Sequence, residues 1–295
     1  MGVLTMSATY AFLPLARRYR RYRRHFQQGL VYLLLTAGLS FTLLPFLMMI
    51  FSSFKTNTEA LRVPPTFWPQ HFTLENYIKI LNDPKLPLLK FYLNSTFVAV
   101  FNVCTTLLTS SLVGYLFAKY EFRGKRLLFG WFLTTMMIPA QITMIPSYLI
   151  LARLHLINSL WGLVIFSAVD AFGIFMMRQF CETLPNELMD AARIDGASEW
   201  QIYWQIVLPQ LGAPLATLGI LGFMANWNAY LWPMIVLQKI EVRTLPVILT
   251  WFNSTHTGQP AVVMAATVLI VMPILIVFMF FQRWIVQGFT MTGFK

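Results

Sequence analysis

From Gly29 to Ser53 no residue carries a charge, and the same is true between Lys90 and Lys119 and between Arg126 and Arg153. An α-helix rising 1.5 Å per residue crosses about 30 Å of hydrocarbon in about 20 residues. Each of these runs is that long. Three more apolar segments follow: Leu160–Met177 with one acid, Asp170, then Leu215–Val236 and Val262–Gln282. The chain is 57% hydrophobic and 11% charged, against about 25% charged in an ordinary soluble domain. These features predict an all-α membrane protein with six transmembrane helices. The first apolar run is too long for the core of a cleaved signal peptide.

Charge placement sets the expected orientation. The net charge of +11 could suggest nucleic acid, but Arg17, Arg18, Arg20, Arg21, Arg23 and Arg24 crowd just before the first span. The positive-inside rule puts such a cluster in the cytoplasm, where it can meet anionic lipid. Six crossings then return the C-terminus to the cytoplasm. On this topology 14 of the 22 lysines and arginines are cytoplasmic and 8 external. The expected organisation is a basic cytoplasmic segment, 1–29, a six-helix membrane domain, 30–282, and a cytoplasmic tail, 283–295. Nucleic acid is not an expected partner.

Between the fourth and fifth spans, residues 178–212 form the main polar interruption. Pro185 suits the first turn of a helix over Asn186–Ile194. Gly196 suits a left-handed cap after it, and Ser198 with Gln201 forms a capping box that opens a second helix. Pro209 should end that helix, and Pro214 should mark entry to the fifth span. Ala191 and Ala192 offer a small-residue surface to a partner, with Glu187, Asp190 and Asp195 as acceptors. An amphipathic hairpin lying on the membrane surface explains the same residues.

No metal-ligand spacing occurs among the four histidines and two cysteines, and no metal site is expected. No Gly-x4-Gly-Lys-Ser/Thr loop is present, so the chain is not expected to be an enzyme that hydrolyses ATP. Prolines 45, 139, 146, 233 and 273 interrupt apolar runs, where kinks suit a transport path or ordinary membrane-helix packing. Asp170, Asn226, Trp227, Asn228 and Tyr230 supply an acid, amides and aromatic faces at membrane depth, as a sugar path would need. An interfacial aromatic belt or helix packing accounts for the same aromatics.

The pattern Asp190-Ala191-Ala192-x3-Gly196-x9-Ile206-x-Leu208-Pro209 resembles the Glu-Ala-Ala-x3-Gly-x9-Ile-x-Leu-Pro loop of binding-protein-dependent ABC importer permeases. Asp190 replaces the usual Glu, one methylene shorter. Further segments are similar to the carbohydrate-uptake branch, related to the maltose-type second permease subunit. They include Pro64–Pro69, Leu74–Tyr77, Asn94-Ser95, Phe122–Lys125, Ile145–Tyr148, Trp227-Asn228, Arg243–Pro246 and the ending Gly288–Lys295.

The resemblance implies a subunit of an ATP-driven sugar importer in a prokaryotic inner membrane, working by alternating access. It implies two cytoplasmic ATPase subunits that use ATP and Mg, a second permease and an external solute-binding protein. This chain itself would hold no cofactor. The 178–212 loop becomes a cytoplasmic coupling-helix loop, with Glu187, Asp190, Ala191, Ala192 and Gly196 as the ATPase-coupling residues. Two other readings remain: an ion-coupled secondary transporter, and a membrane-anchored scaffold that docks a soluble partner.

Overall fold

A computed structural model describes the backbone of residues 6–84 and 86–292 and the side chains of residues 27–84 and 86–280. The arginine cluster and the C-terminal tail lie outside the described side chains. Every regular element among the described residues is helical. In chain order they are α1 (Met6–Ser53), α2 (Asn57–Ala60), α3 (Glu75–Leu81), α4 (Leu88–Lys119), α5 (Lys125–Thr135) and α6 (Ala140–Arg153). Then come α7 (Leu160–Ser167), α8 (Ala171–Thr183), α9 (Asn186–Ile194), α10 (Glu199–Gln201), a π-helical turn (Ile202–Val207) and α11 (Leu208–Gln210). The chain continues with α12 (Gly212–Trp227), α13 (Leu231–Val236), a 3-10 turn (Ile240–Val242), α14 (Leu245–Thr255) and α15 (Pro260–Thr292).

Three helical stretches are long and apolar enough to cross a membrane: Gln27–Ser53, Leu88–Lys119 and Pro260–Phe280. The number reaches six if each of three bent helix pairs counts as one span. The third expected span bends by 100° between α5 and α6. Pro139 is the N-cap of α6 there, with ψ 130. Proline has no N–H to continue a helix and drives the preceding residue out of the α region. Pro146 and Pro273, by contrast, sit inside continuous helices.

The fourth expected span is also two helices, bent 43° between α7 and α8, and α8 runs on to Thr183, beyond the expected end at Met177. The fifth stops at Trp227 and resumes at Leu231.

α4 is the hub of the bundle, packing most extensively on α8 and α12. Glycine makes the first contact close: a Cβ on Gly114 would lie 2.6 Å from Met177 Cβ, and one on Gly173 would lie 2.3 Å from Ser110 Oγ. Backbones packed that tightly gain dispersion contacts that need no hydrophobic driving force, as helices in lipid require.

The broken fourth span lies against α4, which satisfies its backbone. Thr106 Oγ1 donates to Ser167 O at 2.9 Å and Thr109 Oγ1 to Ala168 O at 2.6 Å. Asp170 caps α8 by accepting from Gly173 N–H at 2.7 Å. Without these partners the freed groups would each cost several kcal/mol in hydrocarbon, on the order estimated for unsatisfied backbone in lipid.

α4 separates two ends of the bundle. At one end Tyr115, Met177, Cys181, Met189, Ile202 and Tyr203 pack under the 184–211 segment. At the other, Ile80, Phe91, Trp227, Leu245 and Phe252 pack with the start of α15.

Candidate functional site

The segment after α8 folds as a hairpin of two helical arms. Pro185 is the N-cap of α9, with ψ 133, one position before the expected first turn. α9 ends at Ile194 with Asp195 as its C-cap, and Gly196 follows with φ +82, a left-handed conformation that glycine adopts without steric cost. The expected capping box is present: Ser198 Oγ accepts from Gln201 N–H, and Gln201 Oε1 accepts from Ser198 N–H at 2.8 Å. The second arm then runs through the π turn and over Pro209 to Gln210, further than the expected stop at Pro209. A π turn accommodates a break in the i→i−4 ladder, and Pro209, which has no N–H to donate, sits just after it near the start of α11. The arm meets α12 at 76°.

The residues of α9 divide by face. Glu187, Asp190, Ala191 and Ile194 are exposed, at the i, i+3, i+4, i+7 spacing of a single helix face. Ile194 is 87% exposed. Met189 is buried, and Ala192 packs against the core beneath the hairpin. Of the two alanines read from sequence as a small surface, only Ala191 therefore lies on the open face. Gly196 is exposed at the bend, and a Cβ added there would meet no atom within 4 Å.

Three charged residues clamp the two arms. Arg193 Nε donates to Glu199 Oε1 at 2.8 Å, Nη2 to Glu199 Oε2 at 3.2 Å, and Nη1 to Asp190 Oδ1 at 2.8 Å. Tyr120, the residue after α4, donates its hydroxyl to Glu199 Oε2. The Arg193 fork and then Tyr120 hold the Glu199 carboxyl below its ordinary value, and the same fork raises Arg193 above its own. Burial, followed by the Glu199 contact, raises Tyr120. Lys119 Nζ reaches the start of the hairpin, donating to Leu184 O at 2.5 Å and Asn186 Oδ1 at 2.8 Å. The sequence reading missed Arg193, Glu199, Tyr120 and Lys119 as a set. Only the Asp190–Arg193 spacing signalled any of it.

The five residues read as a path do not share one environment. Asp170 is spent on the α8 cap. Asn226 accepts from Asn102 Nδ2 at 2.6 Å and donates to Gly222 O at 2.8 Å. Trp227 is 4% exposed, stacked on Phe223, with its indole N–H toward Ile270 O at 3.4 Å. It belongs to the core, because its ring fills the junction of α12 and α15. Asn228 and Tyr230 are exposed at the gap between α12 and α13. A cavity of about 290 Å³ lies at the α6, α7 and α13 contact, lined by Thr143, Met144, Ser147, Phe166, Ser167 and Trp232, with Ala140. Its hydroxyls and aromatic faces carried no sequence motif beyond their residue types. Among the described residues no group of three or more His, Cys, Asp or Glu is placed to hold a metal ion.

Against known proteins, the family described as "Binding-protein-dependent transport system inner membrane component" matches residues 110–291. The chain is 36% identical over 268 residues to an arabinooligosaccharides transport system permease protein of Halalkalibacterium halodurans, covering 89% of this chain and 96% of that one. It is 32% identical to the lactose transport system permease protein of Rhizobium radiobacter, over 90% of this chain and 96% of that one. A chain in the crystal structure of a bacterial ABC transporter involved in the import of the acidic polysaccharide alginate superposes with a TM-score of 0.78. The identity there is 28%, with 89% of this chain and 97% of that chain covered.

Proposed function

The chain belongs to the binding-protein-dependent transport system inner membrane components, within the sugar and oligosaccharide ABC transporter permeases, and from that premise we propose that it is a membrane subunit of an ATP-driven sugar importer. In this reading the chain crosses the inner membrane six times with both termini in the cytoplasm. It works beside a second permease, two ATPase subunits that bind ATP and Mg, and an external solute-binding protein. It transports and does not catalyse.

One observation carries the reading. The hairpin lies in the family-matched region, is locked to the bundle on one side, and leaves Glu187, Asp190, Ala191 and Ile194 open on the other. An exposed face of that kind suits a partner that must push on the bundle. ATP binding by the partner moves the hairpin as a body, and the spans around it switch the cavity between inward- and outward-facing states. Glu187, Asp190, Ala191 and Gly196 make or shape the contact, and Ala192 supports it from beneath. Asn228 and Tyr230, with the hydroxyl-lined cavity beside α13, are the assigned substrate path. Asp170 at the α8 cap, Asn226 on Asn102 and Trp227 in the α12–α15 core would support the helices around that path. A neutral sugar suits spans that carry no basic residue away from their ends.

An ion-coupled carrier would need free carbonyls or an available acid at a helix break. At the α7–α8 break the carbonyls of Ser167 and Ala168 each accept a threonine hydroxyl and Asp170 Oδ2 accepts from Gly173 N–H; the family match favours the ATP-driven reading. The deciding experiment is purification from native membrane in mild detergent, followed by mass spectrometry. An ATPase, a second permease and a sugar-loaded binding protein are expected in the complex. Recovery of the chain alone as a stable homo-oligomer would overturn the proposal.

A further inference from the structure

The hairpin is continuous in sequence with α8 and α12, so those are the helices it would move if the chain path alone mattered. The side chains add a third. Lys119 grips the first arm at Leu184 and Asn186, and Tyr120 grips the second arm at Glu199. Both residues sit at the end of α4. Beneath them the hydroxyls of Ser111 on α4 and Tyr203 in the π turn lie 2.8 Å apart, buried. The two grips are joined across the Gly196 bend by Arg193, whose fork lies on Glu199 and whose third contact is Asp190.

We propose that Arg193 is a positioning residue that, through Glu199 and Tyr120, fastens the hairpin to the end of α4, so that a push on the hairpin reaches α4 as directly as α8 and α12. The inference rests on the coupling role proposed for the hairpin. α4 is also the hub against which α7, α8 and α12 pack, so a body that carries it carries most of the bundle.

Stability is not the purpose of this arrangement. Exposed ion pairs add little to stability, because water screens them. A guanidinium fork on a carboxylate fixes direction as well as distance, which an ammonium cannot do. The tyrosine then passes that fixed geometry to another helix. Glu199 is the shared element, accepting from both. Arg193 and Tyr120 together tie the Glu199 arm both to α9 and to the end of α4, beside the direct grip of Lys119 on Asn186.

Pulsed electron-spin distance measurements test the proposal in the assembled transporter, without nucleotide and with ATP plus vanadate. Cys104 is first replaced by Ser. One label pair spans Glu121 and Asp195, reporting hairpin against α4; a second spans Asp195 and Gln205, reporting arm against arm. In the parent protein both distances are expected to be narrow and the same in the two states. Arg193→Gln is expected to add a second, longer population to both. Tyr120→Phe is expected to add it to the hairpin–α4 distance alone, and Arg193→Lys to give a smaller second population than Arg193→Gln. Two results would overturn the inference: a parent hairpin–α4 distance that changes with nucleotide, or Arg193→Gln distances indistinguishable from the parent. The nucleotide-free distances are also readable in the isolated chain. A missing ATPase would therefore count against the coupling role, while the distances still judge the fastening.

Discussion

Two polar knots sit at opposite ends of an oily bundle, and they treat charge in opposite ways. At the end away from the hairpin, between α1 and α3, Lys55 is 2% exposed and Glu59 3%. Glu59 accepts from the Thr66 hydroxyl at 3.0 Å, Gln70 N–H at 2.8 Å and His71 N–H at 3.4 Å. Lys55 donates to Thr66 O, and Asn76 Nδ2 closes the knot on Ser53 O and Lys55 O, both at 2.8 Å. In the hairpin the side chains of Arg193, Glu199 and Asp190 are 39%, 52% and 63% exposed. Both knots set a cation near a carboxylate, but only the first adds backbone groups, from Gln70, His71, Thr66, Ser53 and Lys55. The first is buried and bonds within the chain. The second keeps part of its charge in water, where another protein can reach it. A closed knot serves architecture and an open one serves contact.

The largest effect should come from opening the closed knot. Glu59→Ala leaves the part-buried Thr66 hydroxyl and the Gln70 and His71 N–H groups without their acceptor, and each unsatisfied buried donor costs about 1–3 kcal/mol. The expected result is a large fall in the thermal midpoint of the detergent-solubilised protein, with normal uptake per surviving molecule. A midpoint equal to the parent would break the comparison, because the knot would then not be structural. The electrostatics agree with a structural role. Burial raises the Glu59 carboxyl, but the bonds from Gln70, Thr66 and His71 and the Lys55 charge outweigh it and leave it below the ordinary value.

The open knot should show the reverse pattern, with transport lost and fold kept. Gly196→Pro cannot adopt φ +82, and it removes the N–H that donates to Arg193 O at 3.1 Å. The strain is local, about 1–3 kcal/mol. Uptake is expected to vanish while the protein still reaches the membrane in parent amounts. Gly196→Ala grades the same test. Open space surrounds the site, so the cost is the left-handed backbone alone, about 1–2 kcal/mol. A several-fold loss of uptake should follow. Retained uptake in the proline variant would sink the hairpin's assignment.

A third, smaller effect concerns the path. Asn228 is exposed and bonds only locally, from Nδ2 to Met224 O at 2.9 Å, so Asn228→Ala should leave the fold intact. Its apparent affinity for the transported sugar should weaken by about tenfold, the worth of roughly one hydrogen bond to a buried substrate. Wild-type affinity and rate for every sugar tried would remove it from the path.

The sequence made some of these features readable and hid others for physical reasons. Charge-free runs report how far a segment can extend through hydrocarbon, so the long helices α1, α4 and α15 were legible. They do not report straightness. The α5–α6 bend needed Pro139 to be told apart from Pro146 and Pro273, which stay inside helices, and only the neighbouring packing does that. The hairpin was legible because its signals are local: Gly196, the Ser198–Gln201 box and the α9 spacing each act within four residues. The inward turn of Trp227 was not, since an indole in a membrane helix suits a path, a belt or a core equally. Thr106 and Thr109 bonding to the α7–α8 break was invisible for the same reason. Their partners are about 60 residues away, and a threonine in an apolar run gives no sign of which carbonyl it will find.

The smallest expected effect is a pH response confined to acid. Glu199 is held below its ordinary value in the folded hairpin, so the clamp's contribution is fully present above the unfolded carboxyl value near 4.5. It is lost as pH falls through the lower folded value. Tyr120 is raised, so its hydroxyl stays protonated and able to donate across the same range. Neither group titrates between pH 5 and pH 8, and the hairpin–α4 distance should be unchanged across that window. Below it, the whole loss is limited to about 1 kcal/mol, because the pair is exposed and screened by water. The distance should therefore widen modestly in acid, while the buried Glu59 knot, carrying a larger energy, governs global unfolding. A transition centred between pH 6 and pH 7 would mean that a group outside the Arg193–Glu199–Tyr120 set controls the clamp, and the open knot would have to be redrawn around it.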